Sequence, residues 1–296
     1  MFENIVGNNK IKDMLAKSVK QNITSNSYLF IGIDGIGKKL IASEFAKMLL
    51  CTSEEKYCDK CKSCIEFDTN NNPDFLCVEP DGNNIKIEQI RYLQKKIQEK
   101  PIISNKKVYI INDANLMTVE AQNCLLKTLE EPPEFATIIL IGNNENSFLT
   151  TIKSRCVILH FQPLENEAVR RFLEERYDIK NISDNILDTF QGSIGKAILL
   201  KDKQKEYKAI QDMIENLDKN DLIDIMKLAE PLYKAKEDIF EILDYINILL
   251  LKKAKKEHIY TNCIQIVENT KKRIKQNSNY DMCIDNMVFN MWEDVN

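Results

Sequence analysis

Two groups of residues in this sequence have types and spacings that could support chemistry. The first is the stretch 32–39, Gly-Ile-Asp-Gly-Ile-Gly-Lys-Lys, which follows an apolar run and precedes a segment of helical character. A strand, a loop and a helix in this order form a phosphate-binding loop, in which backbone N–H groups and a lysine contact the phosphates. We therefore predict a nucleotide-binding loop at Gly32, Gly35, Gly37 and Lys38.

The final position of this loop departs from the pattern. The pattern has Ser or Thr there, whose hydroxyl binds Mg²⁺, but this chain has Lys39. After the apolar run 108–111, a nucleotide-hydrolysing sheet carries an aspartate for Mg²⁺ and then a glutamate that orients water. This chain has Asn112 and Asp113, although 108–111 could also be a plain core strand. Both departures predict a loop that could hold ATP or ADP but is poorly built to hydrolyse ATP.

The second group is a set of four cysteines, Cys51, Cys58, Cys61 and Cys64, within one short charged segment. Four converging thiolates suit Zn²⁺, and four protein ligands leave no open position for a catalytic water. We predict a structural zinc site, with an iron–sulfur cluster or free thiols as the alternatives. The other five of the nine cysteines are isolated in sequence and are predicted to be buried core thiols.

Composition limits the classes of protein that this chain could represent. With 296 residues and 44% hydrophobic residues, it should form two or three domains with substantial cores. Its formal net charge of −4 argues against strong independent binding to nucleic acid. No apolar run approaches the roughly 20 residues of a membrane span, and no export leader opens the sequence. We expect a cytoplasmic protein with reduced thiols and no membrane partner.

The elements that must position these residues change in type along the chain. Short apolar runs at 28–31, 75–79, 108–111, 137–141 and 157–159 alternate with helical patterns, which predicts an α/β domain with a parallel sheet. Beyond residue 164 only helical periodicity continues, with a short helix predicted from 192–197 and a boundary at the charged segment 201–208. The lysine-rich run 252–256 is most simply the solvated end of a helix, with contact to nucleic acid as the alternative.

Further strings complete a resemblance to a known family. They are Leu-Leu-Lys-Thr-Leu-Glu-Glu-Pro-Pro at 125–133, Ser-Arg-Cys at 154–156, Gly-Ser at 192–193 and Asn-Ser-Asn-Tyr at 277–280. Together with the loop and the cysteines, they resemble the clamp-loader subunits of bacterial DNA polymerase III, which are AAA+ proteins. This resemblance implies an AAA+ P-loop domain at 1–161 with a zinc module at 51–64, a helical lid at 162–202 and an all-α collar at 203–296.

The resemblance also implies roles and partners. By base rate Arg155 is a surface residue, but in this family the Ser-Arg-Cys arginine is a finger offered to the ATP of a neighbouring subunit. Lys39, Asn112 and Gly195 stand where ATP-hydrolysing gamma/tau-like members have Ser or Thr, Asp and Arg, so the chain resembles the non-hydrolysing delta-prime type. The implied partners are gamma/tau-like and delta-like subunits in a five-subunit ring, with the sliding clamp and primed DNA reached through it.

Two other functions remain open from the sequence. One is a gamma/tau-like ATPase that uses Lys38 and Asp113 as a minimal site. The other is a zinc-containing DNA-binding module, for which the cysteine segment is the only feature and against which the acidic net charge speaks. In the leading interpretation, the chain belongs to a polymerase complex but is itself neither the polymerase nor an active ATPase.

Overall fold

A computed structural model describes residues 2, 4–179, 182, 184–236 and 238–296. Contacts within the chain divide it into two compact units. The first comprises Met1–Leu164 and Ser193–Gly195, and the second comprises Glu165–Gly192 and Lys196–Asn296. The division of the chain into three domains stays a prediction.

The first unit is built on a five-stranded sheet in which every neighbouring pair of strands is parallel. The strands are β1 (Ser27–Ile31), β2 (Phe75–Val78), β3 (Lys107–Ile111), β4 (Ala136–Gly142) and β5 (Val157–His160), in the order β2-β3-β4-β1-β5. The three central strands are buried along their whole length, which explains their nearly continuous apolar sequence. The predicted α/β class and the five predicted strands are confirmed.

Helices cover both faces of this sheet. They are α1 (Asn9–Lys20), α2 (Lys38–Leu50), α3 (Lys62–Asp68), α4 (Ile87–Gln98), α5 (Val119–Glu130) and α6 (Thr150–Lys153). One core cluster joins α1 and α2 to one face, with Leu15, Phe30 and Phe45 fully buried. The other joins α4 and α5 to the opposite face, with Leu93 and Leu125 fully buried. Because the strands are parallel, the loops that follow them meet at one edge of the sheet, where binding sites form in such folds.

In the described residues, the second unit consists of helices. They are α7 (Asn166–Tyr177), α8 (Asp184–Thr189), α9 (Ile194–Glu215), α10 (Leu222–Leu228), α11 (Glu230–Lys234), α12 (Ile239–Ala254), α13 (Thr261–Lys275) and α14 (Tyr280–Val295). The first two residues of α9 are counted with the first unit. The expectation of a short helix was wrong, since α9 is 22 residues long and continues through the segment 201–208. The segment contains charged residues but no glycine or proline, and Lys and Gln are good helix formers.

The core of this unit is formed mainly by α9, α12, α13 and α14. Tyr245 on α12 is fully buried and its ring lies 4.9 Å from the ring of Tyr207 on α9. An apolar stripe of α12, which includes Ile242, Leu243 and Ile246, is also buried here. In the part of the chain that the structure describes, none of the helices combines the length and the apolar character needed to cross a membrane.

Candidate functional site

The glycine-rich loop lies between β1 and α2, at the carboxyl edge of the sheet. Gly35 and Gly37 have φ angles of 76° and 91°, which favour glycine because a Cβ atom disfavours this region. The Lys38 side chain is only 6% exposed. Its Nζ donates to the carbonyl oxygens of Gly32 at 2.5 Å and Ile33 at 2.8 Å. The loop therefore has the backbone form of a phosphate-binding loop, with its lysine folded back onto the loop itself.

Lys39, at the position of the expected hydroxyl, forms an ion pair with a residue of a different loop. Its Nζ lies 2.7 Å from Oε1 of Glu79, which directly follows β2. The other oxygen of Glu79 accepts a hydrogen bond of 2.9 Å from Nδ2 of Asn112, which follows β3. Burial alone would raise the pKa of Glu79, but the hydrogen bonds from Lys39 and Asn112 outweigh it and lower that pKa. The Lys39 ammonium and the Asn112 amide thus both contact the carboxylate of Glu79.

The carboxylate of Asp113, next to Asn112, lies in surroundings that disfavour its negative charge. Asp113 has a left-handed backbone with φ 47°, and one of its oxygens accepts a hydrogen bond of 3.0 Å from Asn112. Burial and the nearby carboxylates of Asp34 and Glu79 raise the pKa of Asp113. Burial likewise lowers the pKa of Lys38. Each shift means that the surroundings disfavour the charged form of the group.

These residues do not fit the Mg²⁺ that P-loop ATPases use. Mg²⁺ takes oxygen ligands, whereas position 39 offers an ammonium and position 112 offers an amide. The carboxylate of Glu79, which contacts both Lys39 and Asn112, is already paired with Lys39. We therefore derive no hydrolytic step at this loop.

Gly195 packs directly on the loop. Its N–H donates a hydrogen bond of 2.9 Å to the carbonyl oxygen of Gly35. A Cβ atom at position 195 would lie 2.8 Å from the Cα of Gly35, closer than side chains approach a backbone. An arginine could enter here only if the backbone moved.

The four predicted metal ligands come together. The Sγ atoms of Cys51, Cys58, Cys61 and Cys64 all lie within 4.8 Å of one another, and none of these cysteines forms a disulfide. Sγ of Cys51 lies 3.6 Å from that of Cys58 and 4.0 Å from that of Cys61. A tetrahedral site with Zn–S bonds of about 2.3 Å requires sulfur separations of about 3.8 Å. The thiols therefore fit one metal ion, and Zn²⁺ suits an all-cysteine set.

The local backbone of the module also suits thiolates. The N–H of Cys61 donates to Sγ of Cys58 at 3.3 Å, and the N–H of Cys64 donates to Sγ of Cys61 at 3.4 Å. Cys61 caps the N-terminus of α3, where the helix dipole favours negative charge. These contacts would stabilise metal-bound sulfur atoms.

A buried lysine fastens the cysteine module to α2. The Lys47 side chain is 8% exposed, and its Nζ pairs with Asp59 at 2.5 Å and with Asp68 at 2.8 Å. A second tie is the hydrogen bond of 2.9 Å from the Tyr57 hydroxyl to Glu44. Because α2 begins at Lys38, the module and the glycine-rich loop share one helix.

Arg155 lies away from the loop. It follows α6 and precedes β5, whose first residue, Val157, pairs with Tyr28 near the start of β1. In parallel strands this places Arg155 at the amino edge of the sheet, whereas the glycine-rich loop follows the carboxyl end of β1. The strand between these edges has five residues, which is about 16 Å. Arg155 and the glycine-rich loop therefore lie at opposite edges of the sheet.

Some functional contacts were missed by the sequence analysis. Glu79 was treated only as the end of a strand, and Lys47 was not singled out. Asn143, which directly follows β4, donates a hydrogen bond of 3.1 Å to Asp34 of the loop. A signal for Glu79 existed, since a charged residue directly after a strand of a parallel sheet lies at the binding edge.

Comparison with known proteins identifies the family. The family model described as "DNA polymerase III, delta subunit" matches residues 7–165, more than half of the chain. The chain belongs to this family. The expected relationship to the clamp-loader subunits is thereby confirmed, and the match covers the loop, the cysteine module and Arg155.

Two characterised relatives of this DNA polymerase III family member are informative. DNA polymerase III subunit delta' of Bacillus subtilis is 35% identical over 192 residues, which cover 64% of this chain and 58% of the relative. DNA polymerase III subunit tau/gamma of Haemophilus influenzae is 31% identical over 240 residues, which cover 76% of this chain and 35% of the relative. The chain therefore spans little more than half of the first relative and about a third of the second.

A solved structure supports the fold. The DNA polymerase III gamma subunit-related protein of Thermotoga maritima superimposes with a TM-score of 0.50 at 18% identity, covering 96% of this chain and 99% of that one. At this identity the match concerns the fold alone.

Proposed function

We propose that this chain is a non-hydrolysing, delta-prime-like clamp-loader subunit that supplies Arg155 to the ATP of a neighbouring subunit. It would assemble with gamma/tau-like and delta-like subunits in a five-subunit ring and help to load the sliding clamp onto primed DNA. The observation that carries this proposal is the position of Arg155 at the sheet edge opposite its own glycine-rich loop. From there the guanidinium would meet a phosphate held by another chain.

Charge and geometry indicate what Arg155 would do. Its guanidinium stays charged and can contact phosphoryl oxygens through two N–H groups at once. Such an arginine stabilises the charge that spreads over the transferring phosphoryl group, which is worth about 10³ to 10⁵ in rate. The chain's own loop would take no part in this step, because Lys39 and Asn112 replace the ligands of Mg²⁺. The cysteine module would hold Zn²⁺ as a structural ion, without an open position for substrate.

The test is the ATPase activity of a complex reconstituted with gamma/tau-like and delta-like subunits. We expect Arg155→Ala to assemble normally by size-exclusion chromatography but to lower DNA-stimulated ATP hydrolysis. Arg155→Lys should recover little, because lysine keeps the charge but lacks the planar fork. Arg171→Ala, which removes an exposed arginine of α7, is the matched control. An Arg155→Ala complex with the wild-type rate would refute the proposed role.

A gamma/tau-like ATPase is the second candidate, because similarity to the H. influenzae tau/gamma subunit extends over more of the chain than similarity to the B. subtilis subunit. Purified chain with ATP and Mg²⁺ separates the two. Turnover that disappears in Lys38→Ala would favour the ATPase, and background hydrolysis in both proteins would favour the non-hydrolysing subunit.

A further inference from the structure

The Arg155 side chain donates hydrogen bonds to one residue that is distant in sequence and to two residues that are close in sequence. Its Nη2 donates to Oε1 of Glu130 at 2.7 Å. Its Nη1 donates to the carbonyl oxygen of Thr151 at 2.8 Å and to Oγ of Ser154 at 3.3 Å. The Arg155 side chain is 32% exposed, so it is accessible while its direction is fixed. Of the residues in these contacts, Glu130 alone comes from a different element.

The position of Glu130 is fixed by the end of its helix and by the turn that follows. Glu130 is the last residue of α5, and the two prolines at 132–133 prevent the helix from continuing. The turn that follows is tied to the start of β1, because Nδ2 of Asn26 donates to the carbonyl oxygens of Pro133 at 3.1 Å and Ala136 at 2.8 Å. The string at 125–133, which the proposed function leaves without a role, therefore fixes where this carboxylate lies.

A glutamate is otherwise a poor residue for this place. The C-terminal end of a helix carries partial negative charge, so a carboxylate in the last turn is unfavourable unless a cation compensates for it. The charge-assisted hydrogen bond from Arg155 supplies that compensation. The pair thus links the string at 125–133 to the string at 154–156 through one contact.

The contacts leave donors free for a further ligand. A guanidinium has five N–H groups, two on each terminal nitrogen and one on Nε. Thr151 and Ser154 accept from Nη1, and Glu130 accepts from Nη2. Among the described residues nothing accepts from Nε, and Nη2 donates only to Glu130, which leaves donors for phosphate oxygens while Glu130 stays bound.

We infer that Glu130 is a positioning residue for Arg155, which holds the guanidinium in the orientation that a neighbour's phosphate meets. This inference rests on the proposed function of Arg155. A free arginine side chain samples many rotamers, and ordering it at the moment of binding costs conformational entropy. The bond to Glu130 fixes the rotamer before the neighbour arrives. Because both groups are partly exposed, the advantage is modest, about two- to fivefold in rate.

The experiment uses the reconstituted complex with four variants of this chain. Glu130→Ala should lower kcat of the DNA-stimulated ATPase about two- to fivefold, with KM for ATP and assembly unchanged. Glu130→Gln should restore part of the rate, since the amide oxygen still accepts a hydrogen bond. Glu131→Ala, which removes the neighbouring exposed glutamate, should match the wild type. In an Arg155→Ala background, Glu130→Ala should have no further effect, because the group that it orients is gone.

The measurements distinguish a failure of the inference about Glu130 from a failure of the proposed function of Arg155. An unchanged or increased kcat in Glu130→Ala would overturn the inference, and so would an equal loss in the Arg155→Ala background, which would show a structural role instead. If Arg155→Ala itself leaves ATPase unchanged, the proposed function fails first, and the two failures are thereby distinguished.

Discussion

Replacing Lys47 by methionine tests whether the ion pairs of Lys47 couple the stability of the cysteine module to that of α2. The Lys47 ammonium is the only described group that contacts both Asp59, within the module, and Asp68, at the end of α3. Methionine keeps a long apolar stem in the buried space but removes the charge. The substitution therefore isolates the two ion pairs from the packing of the side chain.

The size of the effect follows from the burial of the three groups. Lys47 is 8% exposed, whereas Asp59 and Asp68 are 51% and 54% exposed. Hydrogen bonds to charged groups contribute about 1.5–3 kcal/mol, but exposed ion pairs contribute about 0.2–1 kcal/mol. The two carboxylates can turn to water once Lys47 is gone, so we expect a loss of about 1–2 kcal/mol. For a unit of this size that corresponds to a decrease in Tm of about 2–8 °C.

The two units of the chain provide an internal reference for the measurement. The single tryptophan, Trp292, lies in the second unit, so its fluorescence reports on the unfolding of that unit. Hydrogen exchange of peptides from α2 and α3, followed by mass spectrometry, reports on the first unit. We expect faster exchange and a lower transition temperature in the first unit, and an unchanged tryptophan transition.

The control is Lys20→Met, which removes an exposed lysine from the last turn of α1 in the same unit. It should leave both transitions within about 1 °C of the wild type, because a surface substitution usually changes stability by less than about 0.5 kcal/mol. A similarly small shift in Lys47→Met, or an equal shift of both transitions, would refute the reasoning.

Three further predictions concern the metal and the sheet edge. Elemental analysis should find one zinc per chain, and a chelator should lower the thermal stability of the first unit; metal-free protein after careful purification would contradict this. Lys39→Thr combined with Asn112→Asp should create Mg²⁺-dependent binding of ADP by titration calorimetry, which Lys86→Thr, a control at another exposed ion pair, should not. Asp113→Asn should raise Tm at pH 7 but not near pH 3, since a raised folded-state pKa means that stability falls as pH rises through it. An equal change in Tm at both pH values would exclude this electrostatic cause.

The sequence predicted the sheet because each strand is a short apolar run between turns. It also predicted that the four cysteines of the module come together, since four cysteines in one short segment have few other uses. It did not predict the ion pair of Lys39 with Glu79, because the two residues come from different loops and meet only through the order of the strands. The continuity of α9 was missed for a different reason. Charged residues mark solvent exposure, and a solvated helix carries them as readily as a linker does.

Gly195 shows what periodicity and spacing cannot reveal. In the sequence it was simply the place where an arginine is missing. In the structure, position 195 requires a glycine, because any side chain would clash with the backbone of Gly35. A short distance between two glycines that are far apart in the chain leaves no pattern in a single sequence.

Because Arg155 and the glycine-rich loop lie at opposite edges of one sheet, the two edges would make different contacts in the proposed assembly. In the proposed assembly, contacts of this kind run head to tail, so that every subunit gives an arginine on one side and accepts one on the other. This chain could offer Arg155 to a neighbour at one edge of its sheet. At the other edge, Lys39 and Glu79 form an ion pair where the Mg²⁺ of an ATP site would bind. A row of ATP sites could therefore extend away from this subunit in one direction only. The chain would mark the end of that row.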